Sequence, residues 1–269
     1  MLLATWEAAF RVVQWKPWVF PAPSHVLDAT LSMLNVRTAF GDPVGPDWPW
    51  AKSAPSNRPQ EPWYKAQLIE ALGVSAVRLV IGFAISIAIG SLLGLMMWRF
   101  QWLDDFLGPL FLGLQTLPSV CWVPLAVLLM GLKERGIMFV IVMGSMFAVA
   151  IALRDGLRTI PPLYQRAGLM MGARGWKLYR YVLLPASLPA MTSSLRQGFA
   201  FAWRSLLGAE LILVVQNHGI GFLLEMGRTF SDPAQVVAVM IIMVMVGMAV
   251  DRWVFAKLQK RVHARFGLA

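Results

Sequence analysis

Long apolar runs alternate with short polar connections along most of this chain. Four of the runs contain the roughly 20 mostly apolar residues that an α-helix needs to cross the hydrocarbon core of a membrane. They predict membrane-spanning helices at residues 69–98, 106–130, 137–153 and 236–255. A fifth span is predicted at residues 194–215, where Arg196, Arg204 and Glu210 interrupt the apolar pattern.

The first 66 residues are less regular. Residues 1–20 include a short apolar stretch, interrupted by Glu7 and Arg11, that we predict to be a short first span. Residues 21–66 are rich in proline and tryptophan. A short helix is predicted from His25, with Ser24 as its cap, whereas the proline density at residues 41–62 opposes both helix and sheet. Because tryptophan favours the membrane interface, we expect this segment to contact lipid, with protein docking as the alternative. Its extracytoplasmic location follows from the orientation that the basic clusters predict. Residues 67–269 are then the main membrane domain.

The composition agrees with an all-α integral membrane protein of about six transmembrane helices. Hydrophobic residues make up 58% of the chain and charged residues 14%, whereas soluble domains average about 25% charged residues. The mean hydropathy is +0.61. The net charge of +10 is compatible with nucleic-acid binding, but the basic residues cluster at the ends of the predicted spans, as the positive-inside rule describes. We therefore expect membrane lipid, and no nucleic acid, as a partner.

Two basic clusters set the predicted orientation. One follows the span predicted at residues 137–153 and the other forms the C-terminal tail. Both belong on the cytoplasmic side of a bacterial plasma (inner) membrane. Six spans then place both termini in the cytoplasm. The clusters consist of Arg154, Arg158, Arg166, Arg174, Lys177 and Arg180, and of Arg252, Lys257, Lys260, Arg261 and Arg265.

The loop at residues 158–190 carries the signals of a compact helical protrusion. Pro161 and Pro162 can start a helix, because the first helical turn does not use its N–H groups. Gly172 can end that helix in a left-handed conformation. A second helix is predicted from Trp176, and we expect Pro185 to stop it.

This loop resembles the cytoplasmic loop of binding-protein-dependent ABC importer permeases. The pattern of that family is E-A-A, three residues, G, nine residues and I-x-L-P. The chain departs from it at Arg166, which replaces the glutamate, and at Gly168, which replaces the second alanine. The positions that follow the pattern are Ala167, Gly172, Val182, Leu184 and Pro185.

Other stretches are similar to the nitrate/sulfonate/taurine/bicarbonate branch of the same family. They include ALGVSAVRLVIGFAISIAIGSLLG from residue 71, LQTLPSVCWVPLAVLLMGL from residue 114 and LRQGFAFAWRSLLGAEL from residue 195. The resemblance implies the permease subunit of an importer that moves a small anion of the sulfonate, taurine, nitrate or bicarbonate type inward. It also implies a second permease subunit, expected to be an identical copy, an ATP-binding subunit, and a periplasmic or lipid-anchored solute-binding protein.

In that family the loop helix docks into a cleft of the ATPase subunit and couples ATP hydrolysis to transport. The chain contains no phosphate-binding G-x-x-x-x-G-K-[ST] motif. We therefore expect a non-catalytic transport subunit with no cofactor or metal of its own, whose partner ATPase binds ATP and Mg. The resemblance assigns the coupling role to Leu163, Arg166, Ala167, Met170, Met171, Gly172 and Pro185.

Polar residues inside the predicted spans are candidates for the translocation path, because charges at membrane depth are costly and commonly functional. Gln197 and Arg204 are seven residues apart and share one helix face, and Trp203 and Glu210 share a neighbouring face. Together with Gln115 they form the candidate set, in which Arg204 favours an anion. An ion pair between Arg204 and a carboxylate, or a contact between subunits, explains the same pattern equally well.

Small residues recur at every fourth position of the span predicted at residues 69–98, at Gly82, Ser86, Gly90 and Gly94. Such a ladder lets two helices approach closely in lipid. We predict tight helix packing there and no functional site.

A secondary transporter or channel that is not driven by ATP is the alternative function. It also needs charged residues in its spans, but it is expected to show inverted repeats and has no use for a structured basic protrusion. Genes for an ATPase and a solute-binding protein beside this gene would decide between the two functions.

Overall fold

The computed structural model describes residues 5–7, 10, 21–34, 67–213 and 215–265 of the chain. Within these residues the regular structure is entirely helical. The predicted first span at residues 1–20 and most of the segment at residues 21–66 lie outside the described residues. In chain order the longer α-helices are α1 (Pro23–Met33), α2 (Gln67–Arg99), α3 (Gln101–Thr116), α4 (Trp122–Met130), α5 (Glu134–Arg158), α6 (Pro162–Met170), α7 (Leu184–Ile212), α8 (Ile220–Thr229), α9 (Pro233–Val250) and α10 (Ala256–Arg265).

The chain divides into two compact units. One unit comprises Met1–Ala76 and Glu210–Val244, and the other comprises Val77–Ala209 and Met245–Ala269. The second, larger unit contains the polar loop at residues 158–190 and the helices that lead into and out of it.

Three helical stretches in the described residues are long and apolar enough to cross a membrane. They are Gln67–Arg99, Glu134–Arg158 and Pro233–Val262, and they correspond to three of the predicted spans. In the third stretch a π-helical turn, Asp251–Phe255, joins α9 to α10. The fifth predicted span is also helical, as α7, but its polar residues keep it outside this set.

The span predicted at residues 106–130 is broken in the structure. It consists of α3 and a helical stretch at Ser119–Met130, which meet at an angle of 99°. Leu117 and Pro118 stand at the break, and Leu117 has an extended backbone (φ −65°, ψ 128°). Proline lacks the N–H that would continue the helical hydrogen bonds, and the residue before it disfavours the helical conformation. Pro109, in contrast, lies inside α3 without ending it.

The small-residue ladder of α2 packs against α5 in the larger unit, as predicted. A Cβ atom on Gly90 would lie 2.7 Å from the carbonyl oxygen of Met146, and one on Gly94 would lie 2.6 Å from that of Ala150. One turn before Gly90, Ser86 accepts a hydrogen bond of 2.7 Å from the Oγ atom of Ser145. The two backbones approach so closely that only hydrogen fits at these glycine positions.

Aromatic side chains fill the space beside this contact. The rings of Phe111 on α3 and Phe147 on α5 lie 5.0 Å apart, and Trp122 at the start of α4 lies 6.1 Å from Phe147. Met97 and Ala150 are buried in the same cluster. These contacts hold α3 and α4 against α5 on both sides of the break.

Candidate functional site

The loop helix α6 begins and ends as the sequence predicts. Pro161 precedes its first residue, Pro162, whose missing N–H costs nothing in the first turn. At the other end the N–H of Gly172 binds the carbonyl of Leu169 at 3.0 Å, and the N–H of Ala173 binds the carbonyl of Gly168 at 3.0 Å. These two bonds form a Schellman motif, which needs a left-handed residue at its centre. Gly172 has a φ of +82°, so its predicted positive φ is confirmed.

Five of the residues assigned to coupling have exposed side chains. Leu163 is 73% exposed, Met170 88% and Met171 77%. Arg166 and Ala167 are exposed as well. Contiguous exposed apolar surface of this kind is typical of interaction sites, and the coupling role of these residues stays a prediction.

Gly168 forms the inward side of α6, a role that the sequence analysis missed. It is buried, and a Cβ atom there would lie 2.6 Å from Leu178 and 3.0 Å from Val182. Gly168, which replaces the second alanine of the family pattern, is therefore a packing residue. A glycine inside a short helix, eight residues before the start of the predicted second helix at Trp176, was the available signal.

The prediction that Pro185 stops the second helix is wrong. Helical structure continues from Trp176–Leu178 through a π-helical turn, Tyr179–Leu183, into α7, whose second residue is Pro185. A π-helical turn shifts the hydrogen-bonding register. Because the turn ends immediately before Leu184, the missing N–H of Pro185 falls where the register changes, and the helix continues. The loop is thus joined to α7 without an extended linker.

Gln197 and Arg204 lie on the exposed surface of α7, as their shared face predicts. The Nε atom of Arg204 donates to the carbonyl of Ala200 at 3.1 Å, and its guanidinium lies 4.6 Å from the centre of the Phe201 ring. Among the described residues no carboxylate contacts Arg204. The described residues therefore provide no ion-pair partner for Arg204, and its role in a translocation path or a subunit contact stays a prediction.

Glu210 lies in the smaller unit and is buried. Its carboxylate accepts hydrogen bonds from Ser75 Oγ at 2.8 and 2.9 Å and from the N–H of Gly221 at 3.1 Å. Ser75 Oγ in turn accepts the N–H of Ile220 at 2.9 Å. Glu210 and Ser75 thus satisfy the first N–H groups of α8, where a negative charge also complements the helix dipole. A path-lining role for Glu210 stays a prediction.

The two other path candidates are partly covered. Gln115 is half-buried near the end of α3, two residues before the break. Trp203 is half-buried in the larger unit, where a Cβ atom on Gly247 would lie 3.1 Å from its indole Nε1. Neither position has a contact that assigns it to a path, so both stay predictions.

A bidentate ion pair joins α7 to the π-helical turn after α9. Arg196 Nε lies 2.6 Å from Asp251 Oδ1, and its Nη2 lies 2.7 Å from Oδ2. Both groups are partly exposed. Arg196 is thereby committed to a partner within the chain, in contrast to Arg204.

Comparisons with known proteins identify relatives along most of the chain. The family described as the inner membrane component of binding-protein-dependent transport systems matches residues 86–264. A putative ABC transporter permease of Methanocaldococcus jannaschii is 31% identical over 185 residues, which are 69% of each chain. The nitrate import permease protein NrtB of Synechocystis sp. is 25% identical over 180 residues, 67% of this chain and 65% of that relative. The putative aliphatic sulfonates transport permease protein SsuC of Escherichia coli K12 is 27% identical over 268 residues, 100% of this chain and 89% of that relative.

Proposed function

Because this chain belongs to the family of inner membrane components of binding-protein-dependent transport systems, and is the permease subunit of an ABC importer, we propose that it moves a small anion inward. A separate subunit hydrolyses the ATP that drives this step, and the chain itself is a non-catalytic transport subunit. In this proposal the ATP and Mg are bound by the partner. The remaining partners are a second copy of this chain, a periplasmic or lipid-anchored solute-binding protein, and membrane lipid.

The observation that carries the coupling role is the exposed apolar surface of α6. Leu163, Met170 and Met171 have no cover within the described chain, and α6 lies in a loop outside the stretches that are apolar enough to span a membrane. A short helix that presents such side chains is suited to a groove on another protein. We assign the groove to the ATPase subunit. Arg166, exposed beside this surface, then meets an acidic or carbonyl-rich rim.

The basic clusters support the orientation. From them we infer that α6, the C-terminal tail and both termini lie in the cytoplasm and that residues 48–63 lie outside. Thiol labelling of single cysteines introduced in these regions tests the assignment in a Cys121→Ser background, which is needed because Cys121 is exposed. Labelling of residues 48–63 from the cytoplasmic side alone would contradict it.

The proposed cargo rests on the relatives and on Arg204. NrtB is named for nitrate and SsuC for aliphatic sulfonates, and Arg204 presents a guanidinium on an exposed helix face with no carboxylate beside it in the described chain. Sulfonate, taurine, nitrate and bicarbonate are therefore the solutes to test.

Uptake of labelled taurine, nitrate and bicarbonate by the complete importer in liposomes tests this cargo. We expect Arg204→Gln to abolish uptake and Arg204→Lys to keep part of it, with complex assembly unchanged in both. Arg99→Gln is the matched control, because Arg99 also lies over a neighbouring ring, that of Phe100, at 5.3 Å. Normal uptake of an anion by Arg204→Gln would show that Arg204 is not part of the anion path.

A further inference from the structure

Asp104 is a buried carboxylate in the larger unit that binds two arginines of another helix. It lies in the first turn of α3 and is 6% exposed. Its Oδ1 atom accepts a hydrogen bond of 2.8 Å from Arg154 Nη1, and its Oδ2 atom lies 2.7 Å from Arg158 Nη2. Each carboxylate oxygen thus has its own guanidinium. We refer to Asp104, Arg154 and Arg158 as the arginine clamp.

The clamp is built into both helices. A negative charge in the first turn of α3 and a positive charge in the last turn of α5 each complement the dipole of their own helix. Gly108 lies one turn beyond Asp104, where a Cβ atom would be 2.8 Å from Arg154 Nη1. The absence of a side chain at Gly108 therefore gives the Arg154 guanidinium its place.

The arginine clamp connects the loop helix α6 to the break at the end of α3, two features that are far apart in the sequence. On one side, only Thr159, Ile160 and Pro161 separate Arg158 from the first residue of α6. On the other side, α3 runs from Asp104 to the break at Leu117 and Pro118. A force on α6 therefore reaches the end of α5 through three residues, and the clamp fastens that end to the helix that leads to the break.

We propose that Asp104 is a positioning residue that transmits movement of α6 to the broken helix pair α3 and α4. This inference rests on the coupling role proposed for α6. When the ATPase subunit displaces α6, the end of α5 carries α3 with it because both arginines hold Asp104. The angle between α3 and α4 changes as a result. Without the clamp, α5 can move while α3 stays in place, and ATP is hydrolysed without transport.

The test is the number of solute molecules moved per ATP hydrolysed by the complete importer in liposomes, with labelled taurine, nitrate and bicarbonate as probes. In Asp104→Asn we expect the ATPase to stay bound and active while this ratio falls roughly fivefold or more, the lower range of couplings between distant sites. Asp105→Asn is the matched control, because Asp105 carries the same charge one residue later and is exposed. Its ratio should equal that of the wild type.

Gly108→Ala provides a second variant that keeps every charge but displaces the Arg154 guanidinium. Gly108→Ala should also lower the number of solute molecules moved per ATP hydrolysed. It serves as the test of the clamp if Asp104→Asn does not insert into the membrane. A wild-type ratio in Asp104→Asn, or in Gly108→Ala where only that variant inserts, overturns the proposal. If Gly172→Val also leaves transport intact, the coupling role of α6 fails. If Gly172→Val abolishes transport while Asp104→Asn keeps the wild-type ratio, only the role of Asp104 fails.

Discussion

The contact between α2 and α5 and the loop helix α6 both depend on glycine, but for different physical reasons. In the first, Gly90 and Gly94 leave room for the backbone of α5, and a Cβ atom would lie within 2.7 Å of a carbonyl oxygen. In the second, Gly172 has open space around it and is needed for its φ of +82°. The first region is a contact between two helices of the same chain, whereas the exposed side of α6 has no contact within the described chain. Substitutions in the two regions should therefore be detected by different measurements.

The largest effect on folding is expected at the contact between α2 and α5. Gly94→Ala places a Cβ atom 2.6 Å from the carbonyl oxygen of Ala150, and this backbone atom cannot rotate away. We expect a loss of about 1–3 kcal/mol in the free energy of unfolding, as for other overpacked positions. Gly113→Ala is the control, because a Cβ atom there would have no neighbour within 4 Å. It should stabilise α3 by up to about 1 kcal/mol.

Thermal unfolding of both alanine variants in the same detergent measures this difference. Equal melting temperatures would mean that the two helices are not in close contact in the folded protein.

The next effect is a loss of transport with little loss of folding. In Gly172→Val a β-branched residue must adopt a left-handed conformation, which costs roughly 1–2 kcal/mol, so the Schellman turn that ends α6 is expected to open. The chain should still insert, but binding of the ATPase subunit and solute uptake should be lost together. Gly172→Asn should keep both, because asparagine tolerates this conformation. Uptake that is equal in the two variants would show that the turn does not matter for coupling.

The smallest effect is expected at the rim of the α6 surface. Arg166→Glu reverses one exposed charge, so folding should be unchanged and the affinity for the ATPase subunit should fall. Exposed charge pairs contribute about 0–1 kcal/mol, which limits the loss from removing the positive charge to a few-fold, and repulsion adds to it. A titration of the purified ATPase against both forms at low and high salt measures the effect. An Arg166→Glu affinity that equals the wild type at low salt would place Arg166 outside the contact.

The sequence predicts features that depend on spacing more reliably than those that depend on tertiary packing. The ladder from Gly82 to Gly94 and the positive φ of Gly172 follow from local geometry, and the structure confirms both. A proline signals only that one hydrogen bond is missing. Whether the chain then breaks, as at Pro118, or continues, as at Pro185, depends on the neighbouring turns and helices, which the pattern does not describe.

In the candidate site, too, the sequence predicts local features but not those that depend on tertiary packing. The sequence predicted the helix α6 and its end at Gly172, and the coupling role of its exposed side chains stays a prediction. The buried role of Gly168 depends on Leu178 and Val182, whose positions no local pattern gives. Glu210 shared a face with Trp203 by spacing alone. Its hydrogen bonds to Ser75 and Gly221 required the fold.

Co-purification of the ATPase subunit with Ala167→Trp tests the central claim, that α6 is the ATPase-binding element, most directly. Ala167 is exposed and small, so tryptophan fits the isolated chain but blocks close approach of a partner. We predict normal insertion, loss of the bound ATPase subunit and loss of uptake, while Ala84→Trp, an equal change at an exposed position of α2, retains all three. Wild-type amounts of bound ATPase and normal uptake in Ala167→Trp would contradict the account.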